Sequence, residues 1–92
     1  MPKLEESITV INKKGLHARP AALLVQLICK HQSQVNITFD GQTVNAKSIM
    51  GILTLGAQSG SVLHFIVDGE DASTVMVAIK EFLSKQEEEM NL

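Results

Sequence analysis

The sequence predicts an α+β fold: one mostly antiparallel sheet with helices packed on one face, in the order β-α-β-β-α-β-α. Three observations lead there. Several short stretches alternate apolar with polar residues, the two-residue period of half-buried strands. Between them, apolar residues recur every three or four positions, as on the buried face of a helix. The connections are short, and Asp40-Gly41 between two alternating stretches is a strong two-residue hairpin signal.

Taken in order, Glu5 to Ile11 is the first strand, with Ile8 and Val10 on one face and Ser7 and Thr9 on the other. The polar connector Asn12-Lys13-Lys14-Gly15 leads into a helix from about Ala18 to Lys30. Pro20 is tolerated because it falls in the first turn, where its missing N–H costs nothing. Ala21, Leu24, Val25 and Ile28 form the stripe expected to face the core, and Leu23 and Leu27 form a second one. Val35, Ile37 and Phe39 mark the second strand, and Gln42 to Ala46 the third, returning antiparallel across Asp40-Gly41. A short second helix runs from about Ser48, its N-cap, to Leu55 and stops at Gly56. After a loop at Ala57 to Gly60, Ser61 to Asp68 is the fourth strand, with Leu63, Phe65 and Val67 inward. Asp71 is placed as the cap of a last helix with the stripe Val75, Ile79 and Phe82; Gln86 to Leu92 reads as an acidic, frayed tail.

Ninety-two residues fit a single domain spanning 1–92, large enough for one core but not for a deep substrate chamber. Aromatics are only 3% of a chain that is 45% hydrophobic, so Leu, Ile, Val, Ala and Met must build that core. A net charge of −2 offers no field for nucleic acid. The single Cys29 excludes an internal disulfide, fits a reducing cytosol, and is expected to be a buried small hydrophobe. The N-terminus has no signal-peptide apolar region, and the longest apolar run, Ala21 to Ile28, is broken by Gln26 and too short to span a bilayer. The expectation is a cytoplasmic protein that neither binds nucleic acid nor inserts into membranes.

The chemistry concentrates at Gly15-Leu16-His17-Ala18-Arg19-Pro20. His17 stands at the start of a helix, where unpaired backbone N–H groups and the positive end of the dipole favour anions. Arg19 adds a guanidinium suited to phosphate. A neutral imidazole can attack phosphorus, and the resulting dianion would rest against the helix N-terminus and Arg19. No carboxylate lies within four residues of His17 to repel it. Lys13, Lys14, Arg19 and Lys47 are candidates for a basic rim around the ring. His31, at the end of the first helix, and His64, on the outward face of the fourth strand, look structural; three such dispersed histidines do not make a metal site. The second candidate is Ser48, because Ile49, Met50, Gly51, Ile52 and Leu53 are apolar nearly all round on a helix too short to enclose them. Part of that surface is expected to be exposed as a partner patch, where phosphate on Ser48 would place a dianion.

The two stretches Gly15-Leu16-His17-Ala18-Arg19-Pro20 and Val44-Asn45-Ala46-Lys47-Ser48-Ile49-Met50-Gly51-Ile52-Leu53-Thr54-Leu55-Gly56 together resemble HPr, the histidine phosphocarrier family of the phosphoenolpyruvate-dependent sugar phosphotransferase system. The resemblance covers nearly the whole chain. It implies an HPr-like open-faced sandwich, four antiparallel strands with three helices on one face. It implies that His17 takes a phosphoryl group on Nδ1 from phosphorylated enzyme I and passes it to sugar-specific EIIA proteins. Arg19 would stabilise the phosphate, together with the backbone of Ala18 and Arg19. Ser48 matches the serine modified by HPr kinase/phosphorylase, and a transcriptional regulator is a further implied partner. Ala22, Leu23, Leu27, Ile49, Met50 and Leu53 are the residues expected to dock partners.

No cofactor and no metal is expected, and the carrier is expected to be a monomer. Two alternatives remain: a nitrogen-branch carrier with the same histidine chemistry, and a regulatory binding module acting through Ser48. An independent enzyme ranks last, since His17 has no second acid/base group nearby and no nucleotide-binding loop is present. The expectation is a carrier that works only with partner phosphotransferases.

Overall fold

The structure is a computed structural model and describes residues 2–90. Its elements are β1 (Lys3–Thr9), α1 (Ala18–Cys29), β2 (Gln34–Phe39), β3 (Gln42–Asn45), α2 (Ile49–Thr54), β4 (Val62–Asp68) and α3 (Ala72–Leu83), followed by a 3₁₀ turn at Glu87–Glu89. The four strands form one antiparallel sheet in the order β1-β4-β2-β3. The expected architecture is therefore present, with element ends moved by a residue or two.

Alternation sets which face of the sheet is covered. On β4, Leu63, Phe65 and Val67 are fully buried, while His64 and Ile66 between them are half-exposed on the opposite face. β4 is central: it pairs Ile8 with Leu63 on one side and Ile37 with Phe65 on the other. Val35 and Ile37 join the same core from β2, and Val10, just past the end of β1, is fully buried. The β2–β3 hairpin turns at Asp40 and Gly41, with φ of 50° and 80°, the pair of positive angles a two-residue primed turn requires. Phe39 faces Gln42 across it, so the register follows from the turn.

The helices cover the core face. Ala21, Leu24, Val25 and Ile28 of α1 are buried as their spacing requires, as are Val75, Ile79 and Phe82 of α3. Cys29 is exposed, a correction to the buried role expected of it. It stands at the last residue of α1, outside the core stripe that ends at Ile28.

Two further expectations change. Asp71 occupies the N-cap position of α3 but makes no side-chain cap. Its carboxylate accepts instead from the backbone N–H of Gln32 and Ser33, both at 2.9 Å, and from the Ser33 hydroxyl, fastening α3 to the α1–β2 turn. The acidic tail is not frayed over Gln86 to Met90; Asn91 and Leu92 lie outside the described residues. Gln86 and Glu89 form a capping box, in which the Gln86 N–H donates to Glu89 Oε1 at 2.9 Å. Met90 is only 4% exposed, because its side chain has apolar space to fill against the β1–α1 connection. Asn12 Nδ2 lies 3.8 Å from its sulfur, and the Gln86 amide donates to Ile11 O at 3.3 Å.

Candidate functional site

The connection between β1 and α1 is held from both sides. Gly15 has φ of 69°, and a Cβ built there would come within 2.5 Å of Ala57 O, so the position admits only glycine without displacing backbone. Leu16 N–H donates to that same Ala57 carbonyl at 3.0 Å, and the Leu16 side chain is buried. The chain therefore delivers the next residue, His17, to the N-cap of α1 in an extended conformation.

His17 does not use its side chain as a cap. The first intrahelical bond runs from Ala21 N–H to His17 O at 3.1 Å, and Pro20 has no N–H to offer. The donors left at the helix start are the backbone N–H groups of Ala18 and Arg19, beside a ring whose side chain is 36% exposed. That exposure leaves the ring accessible, and the N–H pair and the dipole favour an anion beside it.

The carboxylate that is missing near His17 in sequence arrives from the other end of the chain. His17 Nε2 lies 2.6 Å from Glu87 Oε1, and Arg19 Nη1 lies 3.8 Å from Glu87 Oε2. The His17 hydrogen bond above all holds the Glu87 carboxyl below its ordinary range, with the Lys14 and Arg19 charges acting in the same direction. Lys13, Lys14 and Arg19 line one shallow cavity with Gln86, Glu87 and Glu88. Three of the four expected basic rim residues therefore gather here.

The fourth does not. Lys47 Nζ donates to His31 O at 3.2 Å, at the far end of α1, and twelve helical residues separate that end from His17 by roughly 18 Å. α2 consequently runs back along α1: it begins at Ser48 beside the end of α1 and leaves at Ala57 beside its start. Ser48 does cap α2, its hydroxyl accepting from Gly51 N–H at 3.0 Å. Of the apolar docking candidates, Met50 and Ile49 are 68% and 41% exposed, whereas Leu53, Ala22, Leu23 and Leu27 are half-buried. Leu23 and Leu27 line a groove with Ala78 and Phe82 of α3. His64 Nε2 donates to Glu5 Oε1 at 2.8 Å on the outer sheet face, and His31 lies 3.7 Å from Asp71 Oδ2. Both histidines are tied into structural pairs away from His17.

A family model described as PTS HPr component phosphorylation site matches residues 4–85. The chain belongs to the HPr phosphocarrier family. A phosphocarrier protein HPr of Xylella fastidiosa (strain Temecula1 / ATCC 700964) is 47% identical over 83 residues, 90% of this chain and 93% of that relative. Among solved structures, HPr from Bacillus anthracis superposes with a TM-score of 0.85 at 39% identity, covering 89% of this chain and 98% of the other. Crh from Bacillus subtilis, described as a domain-swapped dimer, matches at 0.72 and 36% identity, over 97% and 99% of the two chains.

Glu87 lies outside the family match and was missed in the sequence. The apolar Met90 after the acidic run hints at an ordered turn, but nothing in the spacing pairs Glu87 with His17.

Proposed function

We propose that His17 accepts a phosphoryl group on Nδ1 from phosphorylated enzyme I and passes it to sugar-specific EIIA proteins in the cytoplasm, with residues 1–92 acting as one monomeric HPr domain. The observation that carries this reading is His17 itself: an accessible N-cap histidine whose side chain is not spent on capping, beside the unspent N–H groups of Ala18 and Arg19. Those donors and the Arg19 guanidinium hold the transferred phosphate. Proton and phosphate chemistry is otherwise supplied by the partners, which is why the carrier needs no closed active site.

Ser48 is the regulatory serine in this reading, modified by HPr kinase/phosphorylase. It caps the opposite end of α2 from the His17 loop. Phosphate there acts on the docking surface of Ile49, Met50 and Leu53 and not on the imidazole directly. Partner docking through this surface, with Ala22, Leu23 and Leu27 of α1, must be transient for a carrier that exchanges partners.

The test is incubation with phosphoenolpyruvate and enzyme I, followed by intact mass at acidic and alkaline pH. An acid-labile, alkali-stable phosphate on wild type, and none on His17→Ala, is the expected result. His17→Ala keeps its fold, since even a residue that does cap a helix contributes only about 1–2 kcal/mol. Labelling of His17→Ala would sink the assignment.

A further inference from the structure

We propose that Glu87 is a positioning residue for His17, holding the imidazole as its Nε2–H tautomer so that Nδ1 presents the lone pair that attacks phosphorus. The proposal rests on the reading of His17 as the phosphoryl acceptor and assigns a role to a residue beyond the matched 4–85 segment.

An ionised carboxylate only accepts hydrogen bonds, so the ring nitrogen 2.6 Å from Glu87 Oε1 must be the donor. In a neutral imidazole with its proton on Nε2, the lone pair is on Nδ1. The carboxylate stays ionised at neutral pH, because its titration is already displaced downward by this bond and by Lys14 and Arg19. Glu87 is itself held firmly. The capping box fixes its turn, the Gln86 amide binds Ile11 O, and buried Met90 anchors the segment against Asn12. The C-terminal strap and the His17 loop thus form one unit, and the ring's orientation is set by an element 70 residues away in sequence.

The charge balance supports the assignment. As the Nδ1–P bond forms, the bond between phosphorus and the donor atom of phosphorylated enzyme I breaks and its electron pair stays with that donor atom. The His17 ring then carries a positive charge shared with Nε2–H, and Glu87 is the counter-ion already in contact with it. On onward transfer the Nδ1–P pair returns to Nδ1 and that charge disappears. The carboxylate's own repulsion toward an incoming phosphoryl group is offset by Arg19 Nη1 at 3.8 Å and by Lys13 and Lys14 on the same cavity, with Glu88 the remaining acidic neighbour.

The experiment measures His17 ring ¹⁵N chemical shifts and the rate of acceptance from phosphorylated enzyme I for wild type, Glu87→Gln and Glu87→Ala, with His17→Ala as control. Thermal melts confirm that the variants are folded. Wild type should show a neutral ring protonated at Nε2. Both Glu87 variants should show a mixed tautomer population and accept phosphate roughly tenfold more slowly, the scale of one lost charge-assisted hydrogen bond. Wild-type shifts and rates in both variants would reduce Glu87 to a packing role and overturn the proposal. Faster acceptance would overturn it the other way, making the carboxylate a barrier to the phosphoryl group. Labelling of His17→Ala is a separate outcome: it would remove the acceptor reading on which the proposal stands.

Discussion

At the scale of single residues, position and partner are separable. Asp71 sits where a helix cap belongs, yet its carboxylate bonds the Ser33 hydroxyl and the N–H groups of Gln32 and Ser33. The Ser33 hydroxyl first, then the Gln32 N–H, hold its pKa down at about 2, from 3.8. Because the folded value is the lower one, this contribution to stability is complete above the unfolded value and is lost as the pH falls from 3.8 toward about 2. Asp71→Asn should therefore be less stable than wild type at neutral pH and lose less stability on acidification through that window. Urea denaturation at a series of pH values checks it; parallel curves for the two proteins would refute the linkage. His17 stands out in the sequence because its signal is local: a glycine two residues before it, a helix after it, an arginine two residues on. Glu87 was not, since a contact across 70 residues leaves no mark in the spacing around either partner.

At the scale of elements, α2 joins a capping serine to an exposed apolar face. Ser48 closes the Gly51 N–H, and Asp is as good an N-cap as Ser, so Ser48→Asp adds charge while leaving α2 intact. Ser48→Ala loses the cap, about 1 kcal/mol, but adds no charge. Enzyme I-dependent phosphorylation of His17 should be slowed by Ser48→Asp and by Met50→Asp, whose side chain is 68% exposed, and be normal for Ser48→Ala. Asp carries one charge where phosphate carries about two, so the mimic should be the weaker inhibitor. If neither Asp variant slows transfer, α2 is not part of the docking surface. If only Met50→Asp does, the patch stands and regulation through Ser48 falls. The helix itself was legible, since a serine before an apolar run is a local pattern. Its direction relative to α1 was not: Lys47 was a candidate for the His17 rim until its bond to His31 O placed it at the opposite end.

At the scale of the whole molecule, β4 joins the two halves of the sheet, and Phe65 lies fully buried at its centre, opposite Glu6 on β1 and Ile37 on β2. Phe65→Ala should cost about 3–5 kcal/mol, and at ~4–8 °C per kcal/mol for a domain of this size the melting temperature should fall steeply. Calorimetry measures it; a loss of only a degree or two would mean the sheet does not centre on this residue. By itself the sequence determined the strands, the helices, the Asp40-Gly41 hairpin and the histidine at the start of α1, because period, cap and turn chemistry act between residues a few positions apart. Strand order was constrained only through topology. What the tertiary structure alone decided is the company the site keeps. Glu87 closes on His17 and Arg19, Lys47 leaves the rim, Asp71 leaves its helix, and Cys29 faces outward. Each of these depends on where separate elements come to rest, and polar side chains then take the nearest partner that packing brings within about 3 Å.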